Sequence, residues 1–330
     1  HTAIIKDDDD APEIYFGTSI SSDNENNTGT NEIQALTITM TDSSEKSVTI
    51  PYAVSAVGDH PATVDTDYTI SGSSLTIEPG SGTKTADISL TVIGDTKDEY
   101  NQTVTVVLGP TSDDINNGSL HETNETTYTF TITDDDSPPS ASISGSGDDL
   151  ESLAQTLTVT LSSATEKQTS FNWTVDDVTA TTDEDYTLSI DPLVIAAEEL
   201  TGTNTVTGIA DLLYEGDETF TVTIAADSNA SIGTGTATVT LLDDDGKSQL
   251  SFESNAIAYG EESGAISLPV NLDKASGFDT EFTYTITGAG NASEPGDYTI
   301  VINTVTILAG QITENISFSL INDNLVEGDE

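Results

Sequence analysis

Apolar and polar residues alternate with a period of two in stretch after stretch of this chain. Examples are Leu36-Thr-Ile-Thr-Met40, Val104-Thr-Val106, Tyr128-Thr-Phe-Thr-Ile132, Leu157-Thr-Val-Thr-Leu161, Phe220-Thr-Val-Thr-Ile224 and Val239-Thr-Leu241. Successive side chains of an extended backbone point to opposite faces, so each stretch predicts a strand with one dry and one wet face. Threonine fills the wet positions again and again. It is β-branched, which suits a pleated strand, and polar, which suits water. No long stretch carries a helical period with caps. Pro192 to Leu200 comes nearest, and the repeat alignment makes it a strand followed by a turn. The predicted fold class is all-β, with many short strands packed as sandwiches.

Compared with itself, the chain superposes on three segments. An acidic residue precedes Asp-Tyr in each: Asp65-Thr-Asp67-Tyr68, Asp183-Glu-Asp185-Tyr186 and Glu294-Pro-Gly-Asp297-Tyr298. An isoleucine follows each tyrosine at the same distance: Ile77, Ile195 and Ile307. Next come Asp95-Thr-Lys-Asp-Glu99-Tyr-Asn-Gln102, Asp211-Leu-Leu-Tyr-Glu215-Gly-Asp-Glu218 and Asp323-Asn-Leu-Val-Glu327-Gly-Asp-Glu330. A strand running into aspartates closes each unit: Ile4-Ile-Lys-Asp7 to Asp10, Phe130-Thr-Ile-Thr-Asp134 to Asp136, and Leu241-Leu-Asp243 to Asp245. The units are therefore 1–10, the last strand of a preceding repeat; 11–136, repeat 1; 137–245, repeat 2; and 246–330, repeat 3 without its final strands. This predicts a window of a longer array, with short linkers such as Ser137-Pro-Pro139 and Gly246-Lys-Ser248.

Charge narrows the partners. The chain has 7 Lys and Arg against 58 Asp and Glu, so its formal net charge is 7 − 58 = −51. All seven cations are lysines: Lys6, Lys46, Lys84, Lys97, Lys167, Lys247 and Lys274. A polyanion without arginine neither releases counterions from DNA nor forks onto guanine, so nucleic-acid binding is excluded, and anionic membrane surfaces repel it. No run approaches a membrane span. Such a composition could belong to a disordered polyanion, but the alternation argues for a fold. Cysteine is absent, which leaves no disulfide, thiolate site or thiol nucleophile.

In order and spacing the landmarks resemble the Calx-β domain family, over nearly the whole chain. The match is best in repeat 2, through Asp185-Tyr186, Asp211, Glu215-Gly-Asp-Glu218, Phe220 and Asp243 to Asp245. The resemblance implies seven-stranded immunoglobulin-like sandwiches in an extended tandem array, with Ca²⁺ at one end of each sandwich. Carried over residue by residue, the implied ligands in repeat 2 are Asp185, Asp211, Glu215, Glu218, Asp243, Asp244 and Asp245. One of Asp148, Asp149 or Glu151 would add a first-strand ligand. In repeat 1 they are Asp67, Asp95, Glu99, Asp134, Asp135 and Asp136. Asn101 and Gln102 stand there in place of Asp217 and Glu218, so this site carries less charge. In repeat 3 they are Glu261, Glu262, Asp297, Asp323, Glu327 and Glu330.

Elementary electrostatics points the same way. Gathered carboxylates repel and cannot all stay ionised without a counter-charge. Hard divalent cations with six to eight oxygen ligands remove that conflict, and Ca²⁺ tolerates irregular geometry best. An isolated aspartate pair is more often a solvated turn; recurrence in the same place in three units is what favours metal.

No Gly-x-Ser-x-Gly, His-Glu-x-x-His or phosphate loop occurs, and His1, His60 and His121 fall at unrelated repeat positions, so no enzyme is expected. Trp173 reads as a core residue, and the tyrosines after Asp read as core-edge packing. The leading expectation is an extracellular, bacterial cell-surface array: a stalk, adhesin or filament whose calcium-loaded units stiffen one another. Its partners would be calcium, neighbouring repeats, and copies of itself through sheet edges or donated strands. The other classes are calcium-sensing domains of a transporter or signalling protein, and accessory repeats of a large secreted enzyme.

Overall fold

The computed structural model describes residues 1–27, 29, 31–80, 82, 84–109, 115–123, 125–145, 148–189, 192–254, 256–286, 291–300 and 303–324. Repeat 1 contains β1 (Glu13–Phe16), β2 (Ile20–Asn24), β3 (Asn31–Met40), β4 (Val48–Ser55), β5 (Tyr68–Ile70), β6 (Ser74–Ile77), β7 (Thr85–Ile93), β8 (Gln102–Leu108), β9 (Ser119–Leu120) and β10 (Thr127–Thr133). Repeat 2 runs through the same series: β11 (Ser140–Ser144), β12 (Asp148–Leu150), β13 (Ala154–Leu161), β14 (Thr169–Asp177), β15 (Tyr186–Leu188), β16 (Leu193–Ile195), β17 (Thr201–Gly208), β18 (Glu218–Ser228), β19 (Ser231–Ile232) and β20 (Thr236–Leu242). No α-helix occurs among the described residues.

Each of these two repeats is a sandwich of two five-stranded sheets, ordered β5-β7-β3-β1-β9 and β2-β10-β8-β4-β6 in repeat 1, and β15-β17-β13-β11-β19 and β12-β20-β18-β14-β16 in repeat 2. The implied seven strands become ten segments. The opening strand splits between the sheets: β1 pairs antiparallel with β3, while β2 runs parallel to the closing strand β10. The short pieces β2, β5, β6 and β9 lie at sheet edges, where brevity limits unwanted strand addition.

The alternation decides which faces meet. β10 buries Tyr128, Phe130 and Ile132 and turns its threonines outward; β20 does the same with Ala237, Val239 and Leu241. Ile77, Ile195 and Ile307, the isoleucines that follow each tyrosine in the repeats, are all buried. Tyr186 is fully buried, its ring stacked 3.8 Å from Phe220, and its hydroxyl reaches Asp177 Oδ1 at 2.6 Å. Trp173 is 6% exposed, within the core of repeat 2.

Repeat 3 contains β21 (Leu250–Phe252), β22 (Ala265–Leu272), β23 (Thr280–Thr283), β24 (Tyr298–Ile300), β25 (Thr304–Ile307) and β26 (Thr313–Leu320). They form a four-stranded sheet, β21-β22-β26-β24, and a β23-β25 pair. Residues 1–10, aligned with the closing strands, form no strand here, and Ile4 and Ile5 are exposed. A closing strand needs a sheet to join, and the first strand of this chain begins only at Glu13.

Candidate metal centre

The Asp-Tyr landmark builds the same turn in repeats 1 and 2. Asp65 and Asp183 adopt φ of 66° and 68°, a left-handed conformation that aspartate tolerates better than most residues. Their amides donate to the carbonyls of Tyr68 and Tyr186, each at 2.9 Å. The next aspartate ties the turn: Asp67 Oδ2 accepts the Thr63 amide, Asp185 Oδ2 the Thr181 amide and, in repeat 3, Asp297 Oδ2 the Ser293 amide. One oxygen of each of these aspartates thus holds the loop. The closing aspartates are ordered similarly. Asp134 Oδ1 accepts from the Asp136 amide and Asp243 Oδ1 from the Asp245 amide, and Asp7 Oδ1 accepts from Asp9 in the same way.

Among the described residues, three sets of carboxylates place oxygens within 4.8 Å of one another: Glu25, Asp95 and Asp136 in repeat 1; Glu151, Asp243 and Asp245 in repeat 2; and Asp185, Glu215 and Glu218, also in repeat 2. Glu25 is a residue that repeat alignment missed. It follows β2 as Glu151 follows β12, but no local motif marks it. Gly94 and Gly208 lie against the backbones of these two acids, where a Cβ would overlap Glu25 O and Glu151 O.

The remaining candidates lie outside those sets. Asp135 and Asp244, the middle residues of their runs, are exposed and accept bonds from Asn24 and Ser152; strand alternation turns them away from their neighbours. Asp134 Oδ2 takes the Lys167 ammonium at 3.1 Å. Asp211 is exposed, with Oδ1 bound to the Leu213 amide. Asp67 and Glu99 are buried, but a glutamine and a lysine replace a third carboxylate beside them. Glu261 and Glu262 stand exposed on a 3₁₀ turn, Glu261–Ser263, because the chain coils there instead of forming a first strand. Asp297 serves its turn, and Asp323 is exposed. The side chains of Asp148 and Asp149, and all of Glu327 and Glu330, lie outside the described residues.

The clusters are electrostatically strained. Burial, then the charges of Asp95, Glu99, Asp134 and Asp136, pushes Glu25 up to about 8. Burial pushes Glu151 up to about 6, with the charges of Asp211, Asp243 and Asp244 adding to it. Burial and then Asp185 push Glu218 up to about 7. Glu215 and Asp136 also rise, through burial first and then neighbouring carboxylates. Among the described residues, four carboxylate oxygens are buried without a hydrogen-bond partner: Glu25 Oε1, Asp136 Oδ2, Glu151 Oε1 and Asp245 Oδ2. Buried acceptors without partners are costly, and a cation relieves both the missing contact and the repulsion. The donor set is all oxygen, which suits a hard cation such as Ca²⁺ rather than zinc.

Cross-repeat contacts join repeat 1 to repeat 2 beside the first cluster. Lys167 Nζ lies 2.7 Å from Asp98 Oδ1, Thr165 Oγ1 donates to the Asp98 carbonyl, and the Tyr100 amide donates to Glu166 Oε2. At the next joint, Lys274 Nζ lies 2.9 Å from Asp245 Oδ1 and the Gly277 amide donates to the Tyr214 carbonyl.

Tandem β-sandwiches with all-oxygen acidic clusters at their ends define a class of cation-binding modules. The Calx-beta domain model matches residues 7–136, 149–245 and 243–330, and the chain belongs to that family of calcium-binding domains. Solved structures similar to it include the CBD12 tandem from CALX1.2 and the calcium binding domain CBD12 of CALX1.1. Each is 18% identical and covers 69% of this chain and 99% of its own, with a TM-score of 0.31. The Calx CBD2 domain is 18% identical over 32% of this chain and 86% of its own, with a TM-score of 0.29. No curated protein matches the chain.

Proposed function

We propose that this chain is a non-enzymatic, extracellular structural array whose joints are braced by calcium bound at the acidic ends of its sandwiches. One observation supports the reading: at each described joint, a cluster with buried, unpartnered carboxylate oxygens closes beside the loop that follows β13 or β22 in the next repeat. In this reading Glu25, Asp95 and Asp136 hold one ion, and Glu151, Asp243 and Asp245 another. Asp185, Glu215 and Glu218 hold a further ion in repeat 2. The protein's own groups supply the oxygens, and the loops that carry them are already ordered by the Asp-to-amide bonds. Calcium supplies the missing charge, turning self-repelling ends into rigid joints.

The surface supports an extracellular setting. Outward threonines and a charge of −51 keep such a rod soluble in salt, and the absence of cysteine makes its bracing independent of redox state. Stacked repeats multiply reach and valency, as a stalk or adhesin requires. The deciding experiment is small-angle scattering and thermal unfolding in calcium and in chelator. Extension and a higher melting temperature in calcium support the array. Identical profiles in both conditions would falsify it.

A further inference from the structure

We propose that Lys97 is a resident counter-cation: its ammonium stands in repeat 1 where repeat 2 is built to take its second metal ion. The inference rests on the calcium reading of the clusters and adds which position in repeat 1 takes no metal.

The two positions match in the backbone contacts that frame them. Asp67 and Asp185 each precede the buried tyrosine and accept the amide four residues upstream. Gln102 opens β8 opposite Ile132, and Glu218 opens β18 opposite Leu241, the matching residue of the closing strand. The Lys97 amide donates to Asp95 Oδ1 at 2.7 Å, and the Leu213 amide donates to Asp211 Oδ1 at 2.7 Å. One backbone turn therefore presents a lysine in the first repeat and a leucine in the second.

The side chains differ in the sense that replaces a metal. In repeat 2, Asp185, Glu215 and Glu218 bring three carboxylates together. In repeat 1 the third carboxylate is the neutral Gln102, whose Nε2 donates to Glu99 Oε2 at 2.9 Å. Lys97 Nζ lies 3.1 Å from the other oxygen, Glu99 Oε1. Both oxygens of this buried carboxylate thus face N–H donors. A cation here meets one carboxylate fewer, since Gln102 Oε1 is a neutral oxygen, and the Lys97 ammonium stands in its way. Lys97 Nζ also lies 2.6 Å from Glu198 Oε1 of repeat 2. The same ammonium therefore neutralises Glu99 and bridges the joint, with no metal required.

The test is the calcium count of the full chain by equilibrium dialysis, with folding of each variant checked by circular dichroism. Glu215→Gln is expected to lose one bound ion and Glu99→Gln to lose none. The double variant Lys97→Leu with Gln102→Glu is expected to gain one ion per chain. Loss of an ion in Glu99→Gln, or no gain in a folded double variant, overturns the role of Lys97. An unchanged count in Glu215→Gln overturns instead the calcium reading of the repeat 2 cluster. If the double variant does not fold, the comparison of Glu99→Gln with Glu215→Gln decides alone.

Discussion

Glu25 and Glu151 occupy the same place in consecutive sandwiches. The Glu25 amide donates to the Thr133 carbonyl at 3.1 Å and the Glu151 amide to the Leu242 carbonyl at 3.0 Å, so each acid is clamped to the last residue of its closing strand. The carboxylate is thereby held beside the aspartates that follow that strand. Replacing either acid by glutamine should weaken calcium binding at its own repeat at least tenfold, because an anionic ligand becomes neutral. The same variant should melt higher in chelator, by a few degrees for roughly 1 kcal/mol of relieved repulsion. Calorimetric titration and thermal unfolding read the two effects separately.

The raised acids set the pH dependence. Glu25, Glu151 and Glu218 stand at about 8, about 6 and about 7, above their ordinary 4.5. A carboxylate raised by folding binds its proton more tightly in the folded state, so its contribution is fully present below about pH 4.5 and lost as pH climbs through the folded value. In chelator the protein should therefore lose stability from about pH 5 to about pH 8. Calcium displaces those protons, so its stabilising effect should grow over the same window. Equal calcium-induced melting shifts at both ends of the window would contradict this assignment.

Calcium removal should matter on the scale of a domain's whole stability. An ion held only by the folded state at about 100 times its dissociation constant contributes about 2.7 kcal/mol. For a sandwich of this size that corresponds to a melting shift on the order of 10 °C. A scan with and without chelator measures it.

Lys167 should be a joint residue rather than a folding residue. Its partner Asp98 is 3% exposed, and both it and Asp134 belong to the preceding repeat. Lys167→Met leaves those acids uncompensated and should weaken the docking of repeats 1 and 2 by roughly 1–3 kcal/mol, less than for a fully buried pair. Scattering should report a broader range of inter-repeat angles while circular dichroism stays unchanged.

Gly208→Ala should act on the repeat 2 cluster through the backbone of Glu151. Its Cβ would overlap the Glu151 carbonyl, a backbone atom that cannot swing away. The expected result is displacement of Glu151, with lost calcium affinity in repeat 2 and a cost of roughly 2 kcal/mol or more. Calcium titration of this variant with repeat 1 intact as an internal reference checks it.

Much of the architecture was legible in the residue order because its causes are local. Alternation exposes a strand's two faces within a few residues, and it placed Phe130, Val239 and Leu157 inside. Recurrence identified Ile77, Ile195 and Ile307 as core positions and turned Leu193–Ile195 into a strand, against the weak helical reading of its surroundings. The Asp-Tyr landmark was readable as a recurring position, but the turn it builds, with the aspartate tied to the amide four residues upstream, is a finding of the structure. The split of the opening strand into β1 and β2 was not legible either, because it depends on which sheet each half can reach.

The acidic clusters divide along the same line. That aspartates gather at one end of each unit was implied by the family resemblance, and the attraction for cations by charge, since 58 acids face seven lysines. Which acids meet is a tertiary matter. Glu25 joins Asp136 from the other end of its repeat, through a parallel pairing that leaves no motif. Asp135 and Asp244 turn outward because neighbours on an extended backbone face opposite sides. Lys97 and Lys167 find their anions across a joint between repeats, where sequence distance says nothing about proximity. Residue order thus determined the sandwiches and their charge, and only the packing of distant segments decided where each charge is answered.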